Sequence, residues 1–127
     1  MTEQNKRLLI LIAGPYRSGT GDDPQKMAEN LRRLEEASWP IFKAGHTPMI
    51  GEWVALPIWT VAGGKEIGDA LYDEILHPTA GRLIDRCDAI LRLEGESKGA
   101  DNDVRLAHER GIPVYYHIDE IPVYSEV

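Results

Sequence analysis

Cysteine and histidine are scarce in this sequence, and their scarcity excludes several kinds of site. The single cysteine, Cys87, stands between Arg86 and Asp88, so the chain has no intramolecular disulfide, no CxxC redox pair and no cysteine-rich zinc site. The four histidines are scattered and lack HxxxH or similar ligand spacing. We therefore expect no metal site, and we expect no cofactor.

Long hydrophobic runs are missing as well. The longest apolar run near the N-terminus covers the six residues from Leu8 to Ala13, which is too short for a signal-peptide core or a membrane span. No internal repeat and no low-complexity segment is present. These features predict a cytoplasmic protein with no membrane partner.

Positive charge is in deficit. Lysine and arginine number 14 against 21 aspartates and glutamates, which gives a net charge of −7 with neutral histidines. Because nucleic-acid binding draws affinity from cations that displace phosphate counterions, we expect no nucleic-acid partner, although one small anion could still find a local basic pocket. A chain of 127 residues with 43% apolar residues is typical of one soluble domain, here residues 1–127.

Strand and helix patterns alternate along the chain. Buried-strand patterns cover residues 8–13, 46–50, 89–93 and 113–118, and helical patterns cover 24–44 (ended or kinked at Pro40), 67–77, 80–87 and 100–110. The stretch from Gly51 to Gly64 has no sustained period, which predicts an irregular functional loop or lid. The alternation predicts a small doubly wound α/β fold of the flavodoxin or Rossmann type, a parallel sheet with helices on both faces.

Ligands of such folds bind outside the carboxyl ends of the strands, where two loops of this chain lie. The first is the Gly14–Gly19 loop with Tyr16, Arg17 and Ser18, which suits an anion held by backbone N–H groups and a guanidinium. It matches neither GxGxxG nor the P-loop, and an ordinary solvated turn is the alternative. Tyr16 could touch a sugar or base, or pack over the sheet edge.

The second loop, residues 94–103, leads into a helix through Ser97, Gly99 and two aspartates. Gly99 permits a ligand to approach closely, and a helix N-terminus favours negative charge. Asp101 and Asp103 could equally be helix caps and dipole partners. The dipole and nearby N–H groups predict that Asp103 is ionised at neutral pH.

Five short motifs are spread over the chain from Leu8 to Val114. They are Ile-Ala-Gly-Pro-Tyr at 12–16, Ala-Gly-His at 44–46, Cys-Asp-Ala-Ile at 87–90, Ser-Lys-Gly-Ala-x-x-Asp-x-x-x-Ala at 97–107 and Gly-Ile-Pro-Val at 111–114. Together they resemble the nucleoside 2-deoxyribosyltransferase-like superfamily, which includes deoxyribosyltransferases and deoxynucleoside 5′-monophosphate N-glycosidases. The block at 97–107 is the most specific of the five.

The resemblance implies a carboxylate nucleophile that attacks the anomeric carbon and leaves a ribosyl-enzyme ester, which water or a second base resolves. The matching position holds Asp103, one C–C bond (about 1.5 Å) shorter than the glutamate of that family. The acid/base aspartate of the family is expected eight residues before Asp88, where this chain has Ala80. Asp101 or Glu96 could take the proton role instead. The resemblance also implies a homodimer or a larger homo-oligomer.

Trp53 and Trp59 lie in the segment between Gly51 and Gly64. Tryptophan rings in a loop can stack on a nucleobase, and we include Trp53 among the candidate binding residues. Both rings could instead anchor the loop to the core or form a subunit contact.

These observations favour cleavage of the N-glycosidic bond of a nucleotide or nucleoside, by hydrolysis or by transfer. Asp103 is the candidate nucleophile, and Arg17 and Ser97 are the candidate partners of a 5′-phosphate. The remaining candidate binding residues are Gly14, Tyr16, Ser18, Gly19, Trp53 and Gly99. A non-catalytic nucleotide-binding or sensing protein on the same scaffold is the alternative, and a partner-binding domain is a third reading.

Overall fold

Four parallel strands form the central sheet of this protein, whose computed structural model describes residues 3–126. The elements are β1 (Glu3–Gln4), β2 (Leu9–Ala13), α1 (Pro24–Glu36), α2 (Ser38–Lys43), β3 (Thr47–Ile50), α3 (Gly51–Val61), α4 (Ala70–Ile84), β4 (Ala89–Arg92), α5 (Lys98–Glu109), β5 (Val114–Tyr115) and β6 (Val123–Tyr124). A single 3₁₀ turn covers Ile118–Glu120. The strand order of the central sheet is β3-β2-β4-β5, and all neighbours are parallel.

Helices cover both faces of this sheet, as the sequence predicts. Alternate residues of β2 point to opposite faces, since side chains alternate along a strand. Ile10 and Ile12 pack with Leu34 of α1 and Ile41 of α2 in one buried cluster. On the other face Leu11 packs in a second cluster that includes side chains of α4 and α5. The doubly wound α/β fold is therefore confirmed.

The segment from Gly51 to Gly64 is not an irregular loop, and that prediction is wrong. Residues Gly51–Val61 form α3, which packs against α4 and places Ala55 in the interior. The segment is apolar on nearly all sides of the helix, so it lacks the one-faced pattern by which an amphipathic helix is recognised.

Three further elements differ from the sequence prediction in their boundaries. The helices predicted over 67–77 and 80–87 are one helix, α4, which continues through Pro78. The long helix predicted over 24–44 is interrupted at Ala37 and forms α1 and α2. The fourth predicted strand is also shorter, since only Val114–Tyr115 pair with β4.

The Gly45–His46 dipeptide ties the chain's C-terminal segment to the sheet. The His46 side chain is buried, its Nδ1 accepts a hydrogen bond from the Leu8 N–H at 3.0 Å, and its Nε2 lies 2.6 Å from the Pro122 carbonyl oxygen. Gly45 has a positive φ of 95°, and a Cβ there would lie 2.5 Å from the Tyr124 Cβ. This part of the Ala-Gly-His motif therefore has a structural role away from the sheet's carboxyl edge.

Candidate functional site

A cavity of about 360 Å³ opens at the carboxyl ends of β2, β3 and β4. The chain runs from β2 to β3 on one side and then crosses to β4 on the other, so strand order reverses at β2. Such a switch point is where open α/β sheets bind ligands, and the volume lies in the usual range for small-molecule sites, about 300–1,000 Å³.

Four segments of the chain line the cavity. The loop after β2 supplies one wall, the start of α3 a second, one face of α4 a third, and the first turns of α5 with the preceding loop a fourth. Of the predicted binding residues, eight line this single cavity: Gly14, Tyr16, Arg17, Ser18, Gly19, Ser97, Gly99 and Asp103. Loops that are far apart in sequence thus converge because parallel strands end at one edge.

Trp53 does not line the cavity. Its indole N–H donates to the Glu35 carboxylate at 2.8 Å, and 38% of the residue is exposed on the outside of α3. The Trp59 N–H donates to Asp69 at 3.1 Å, and a Cβ on Gly64 would overlap its ring. Both tryptophans are therefore held by contacts within the fold.

The loop after β2 is ordered by its own hydrogen bonds. The Arg17 Nε donates to Asp22 Oδ1 at 2.7 Å, and Nη2 donates to the other carboxylate oxygen at 3.3 Å. Gly68, with φ of 94°, leaves the space that the Arg17 guanidinium occupies, since a Cβ there would lie 2.4 Å from Nη2. Any anion that binds Arg17 has to compete with Asp22.

The start of α5 places Asp103 at the cavity. Ser97 is the N-cap, and its Oγ accepts the Ala100 N–H at 3.1 Å. Asp101 faces elsewhere: it pairs at 2.9 Å with Arg92, which is buried and also donates to the Gly95 carbonyl oxygen. Asp101 therefore neutralises a buried cation, whereas Asp103, two residues later, lines the cavity.

Asp103 is not held ionised at neutral pH, contrary to the prediction from the helix dipole. Burial, together with the charge of Glu52, raises the pKa of the Asp103 carboxyl from 3.8 to about 7, although Arg92 acts in the opposite direction. Asp103 is the sixth residue of α5 and lies beyond its first turn, so the helix dipole favours the ionised carboxylate only weakly, whereas desolvation disfavours it. At pH 7 the carboxyl therefore exists in both protonation states.

Glu52 is the residue of this site that the sequence prediction missed. It is the second residue of α3, it is partly buried, and it lines the cavity together with Gly51. Burial raises the pKa of the Glu52 carboxyl above its ordinary value. The available signal was its place two residues after the predicted strand 46–50, at the same sheet edge as the two loops already considered.

Two tyrosines stand beside the carboxylates. Burial and the charge of Glu52 raise the pKa of the Tyr16 hydroxyl, and the same two causes raise the pKa of Tyr72. Both phenols therefore remain neutral in the physiological range and can donate a hydrogen bond. The arrangement combines two partly buried carboxyl groups with neutral hydroxyl donors in one cavity, which is typical of acid/base or nucleophilic chemistry.

No group of three or more His, Cys, Asp or Glu side chains in residues 3–126 is arranged so that it could hold a metal ion. No helix in the same range is both long and apolar enough to cross a membrane.

Comparison of the chain with models of protein families and with curated proteins gives no match.

Proposed function

We propose that this protein cleaves the N-glycosidic bond of a nucleoside or nucleotide, with Asp103 as the nucleophile. The observation that carries the proposal is the convergence of Asp103 and Glu52, both partly buried, on one nucleoside-sized cavity at the switch point of the sheet. Most enzymes that cleave glycosidic bonds use a pair of carboxyl groups that flank the scissile bond.

The sequence resemblance supports the same chemistry. In the block at 97–107, the position that corresponds to the nucleophile of the nucleoside 2-deoxyribosyltransferase-like superfamily is Asp103, and Asp103 lines the cavity. The proposed first step is attack of its ionised carboxylate on the anomeric carbon, which forms a glycosyl ester as the bond to the base breaks. Water or a second base then releases the sugar.

The direct test is a base-release assay with the wild-type protein. We expect free base when the protein is incubated with a panel of deoxyribo- and ribonucleosides and their 5′-monophosphates, analysed by chromatography. Ligand binding without base release would instead support the non-catalytic alternative. The observation that favours this alternative is Ala80, which lines the cavity at the position where the resemblance predicts an acid/base carboxylate. The absence of both base release and ligand binding would contradict both readings.

Arg17 is the proposed partner of the 5′-phosphate. Because Arg17 is paired with Asp22, substitutions of the two residues should change phosphate binding in opposite directions. Arg17→Ala is expected to weaken binding of a nucleoside monophosphate about 10-fold or more, in keeping with the loss of a charge-assisted hydrogen bond, and to weaken nucleoside binding far less. Asp22→Asn removes the competing carboxylate and is expected to strengthen monophosphate binding; asparagine tolerates the positive φ of 62° at this position.

Titration calorimetry with matched nucleoside and nucleoside monophosphate measures both effects. Equal losses for the two ligands in Arg17→Ala would contradict the phosphate assignment. So would an Asp22→Asn variant that binds the monophosphate no better than the wild type does.

Gly99 and Gly14 line the same cavity but are expected to respond differently to alanine. A Cβ on Gly99 meets no heavy atom within 4 Å, so Gly99→Ala should leave the free energy of unfolding unchanged or raise it by about 0.5–1 kcal/mol, while it narrows the cavity and weakens ligand binding. A Cβ on Gly14 would lie 2.8 Å from Leu34 Cδ2 and 3.2 Å from Leu93 Cβ, so Gly14→Ala should destabilise the fold.

Thermal unfolding and monophosphate titration of both variants check this contrast. Unimpaired binding by Gly99→Ala would show that the ligand does not approach the first turn of α5.

A further inference from the structure

Glu52 and Asp103 reach the cavity from the two strands that flank β2. Glu52 follows the end of β3 within two residues, and Asp103 lies on α5, which follows β4. Since β3 and β4 are the two neighbours of β2 in the sheet, the segments that carry the two carboxyl groups follow the strands on either side of β2, and both groups line the one cavity at that edge.

The cavity contains other acidic groups, but their surroundings differ. Asp73 and Glu96 are exposed, whereas Glu52 and Asp103 are partly buried. No side-chain cation in residues 3–126 forms an ion pair with Glu52 or Asp103. Two such carboxyl groups in one cavity oppose each other's ionisation, so one can be ionised while the other keeps its proton, which is what a nucleophile and a general acid together require.

The charge of Glu52 also acts on the rest of the cavity lining. It contributes to the raised pKa values of Asp103, Tyr16 and Tyr72, three groups on three different walls of the cavity. Glu52 therefore lies close enough to each of these walls to influence its titration.

We infer that Glu52 is the acid/base residue of this site, a role that rests on the function proposed above. In the first step the Asp103 carboxylate bonds to the anomeric carbon, the C–N bond breaks, and its electron pair stays on the base nitrogen. The departing nucleobase takes the proton from the Glu52 carboxyl group, at the ring position where its negative charge is localised. In the second step the Glu52 carboxylate takes a proton from water, the water oxygen bonds to the anomeric carbon, and Asp103 leaves as carboxylate.

This assignment also accounts for Ala80. The position where the resemblance predicts an acid lines the cavity from α4 but carries only a methyl group. Glu52 supplies a carboxyl group to the same cavity from α3, so the site retains two carboxyl groups despite the alanine.

The test uses two substrates that differ in their need for an acid. Guanosine monophosphate carries a neutral purine, which leaves as an anion unless it is protonated. Its N7-methylated counterpart carries a cationic purine, which leaves as a neutral base without protonation. In Glu52→Gln we expect base release from the neutral substrate to fall about 100-fold. Both rates are measured in a single turnover, because the second step, in which Glu52 activates water, is shared by the two substrates and would limit repeated turnover of both. Release from the methylated substrate should then stay within a few-fold of the wild-type rate.

The ratio of the two rates, measured on one preparation, is independent of the fraction of protein that is folded. Glu74→Gln, which removes the same charge from an exposed position of α4 that does not line the cavity, is the matched control and should leave that ratio at the wild-type value. A conservative variant, Glu52→Asp, should give an intermediate ratio.

An equal loss of single-turnover base release from both substrates in Glu52→Gln would overturn the role of Glu52 as the acid while leaving the proposed function intact. Failure of the wild type to release base from these two substrates and from every member of the nucleoside and nucleotide panel would overturn the proposed function, and this role with it.

Discussion

Asp103→Ala is expected to reduce base release by about 10⁴-fold or more, while binding of a nucleoside monophosphate changes only a few-fold. The reason is that the nucleophile's interaction with the anomeric carbon is made in the transition state and not in the bound ground state, so its loss appears in kcat rather than in the dissociation constant. Single-turnover base release and calorimetric titration of the same preparation measure the two quantities.

Asp103→Glu is the matched control for this experiment. It keeps the carboxyl group and adds about 1.5 Å of reach, which restores the side chain found in the family that the sequence resembles. We expect it to release base far faster than the alanine variant does. An active Asp103→Ala variant would contradict the nucleophile assignment.

The covalent intermediate gives an independent check on which carboxylate is the nucleophile. A nucleotide analogue with fluorine at sugar carbon 2 disfavours the oxocarbenium-like transition states and should allow the glycosyl ester to accumulate. After digestion with trypsin the two candidates fall in different peptides, residues 44–65 for Glu52 and residues 99–105 for Asp103. Mass spectrometry should find the sugar on 99–105, and a label on 44–65 would reverse the two roles.

Asp103→Asn is expected to stabilise the protein, and by an amount that grows with pH. The pKa of Asp103 is raised from 3.8 to about 7 in the folded state, so between those values the folded protein binds more protons than the unfolded chain does. The free energy of unfolding of the wild type therefore falls as pH rises through this window, and the loss is complete above pH 7. Asparagine cannot ionise and escapes this loss.

A shift of this size corresponds to at most about 4 kcal/mol, and since the side chain is only partly buried we expect a gain on the order of 1–2 kcal/mol at pH 8. Little difference should remain at pH 4, where Asp103 is protonated in the folded wild type. Urea unfolding of both proteins at the two pH values measures the gain, with Glu96→Gln as an exposed control. A stability difference that does not change with pH would mean that Asp103 is ionised throughout, as a helix cap is.

A higher free energy of unfolding in Asp103→Asn would fit a functional site, because side chains positioned for chemistry often lower the stability of the folded protein. Asp101, two residues earlier in α5, gives the contrast. Its carboxylate neutralises the buried Arg92, which is a structural task, whereas Asp103 has no ion-pair partner in residues 3–126.

The sequence by itself determined the fold class and most of the cavity. The apolar run from Leu8 to Ala13 has the short length and continuous pattern of a strand buried on two faces, and the alternation of strands with helices predicts a parallel sheet. Because parallel strands end at one edge, the Gly14–Gly19 loop and the residues from Ser97 to Asp103 had to meet there. Their assembly into one cavity follows from this rule.

Only the tertiary structure decided the parts that depend on burial. The segment from Gly51 to Val61 carries apolar residues all around and gives no periodic signal, so its helix becomes visible only through its packing against α4. In that helix Glu52 lines the cavity, whereas Trp53 lies outside it. The protonation of Asp103 was decided in the same way, since local sequence predicts the helix dipole, whereas desolvation and the charge of Glu52 exist only once the walls of the cavity have come together.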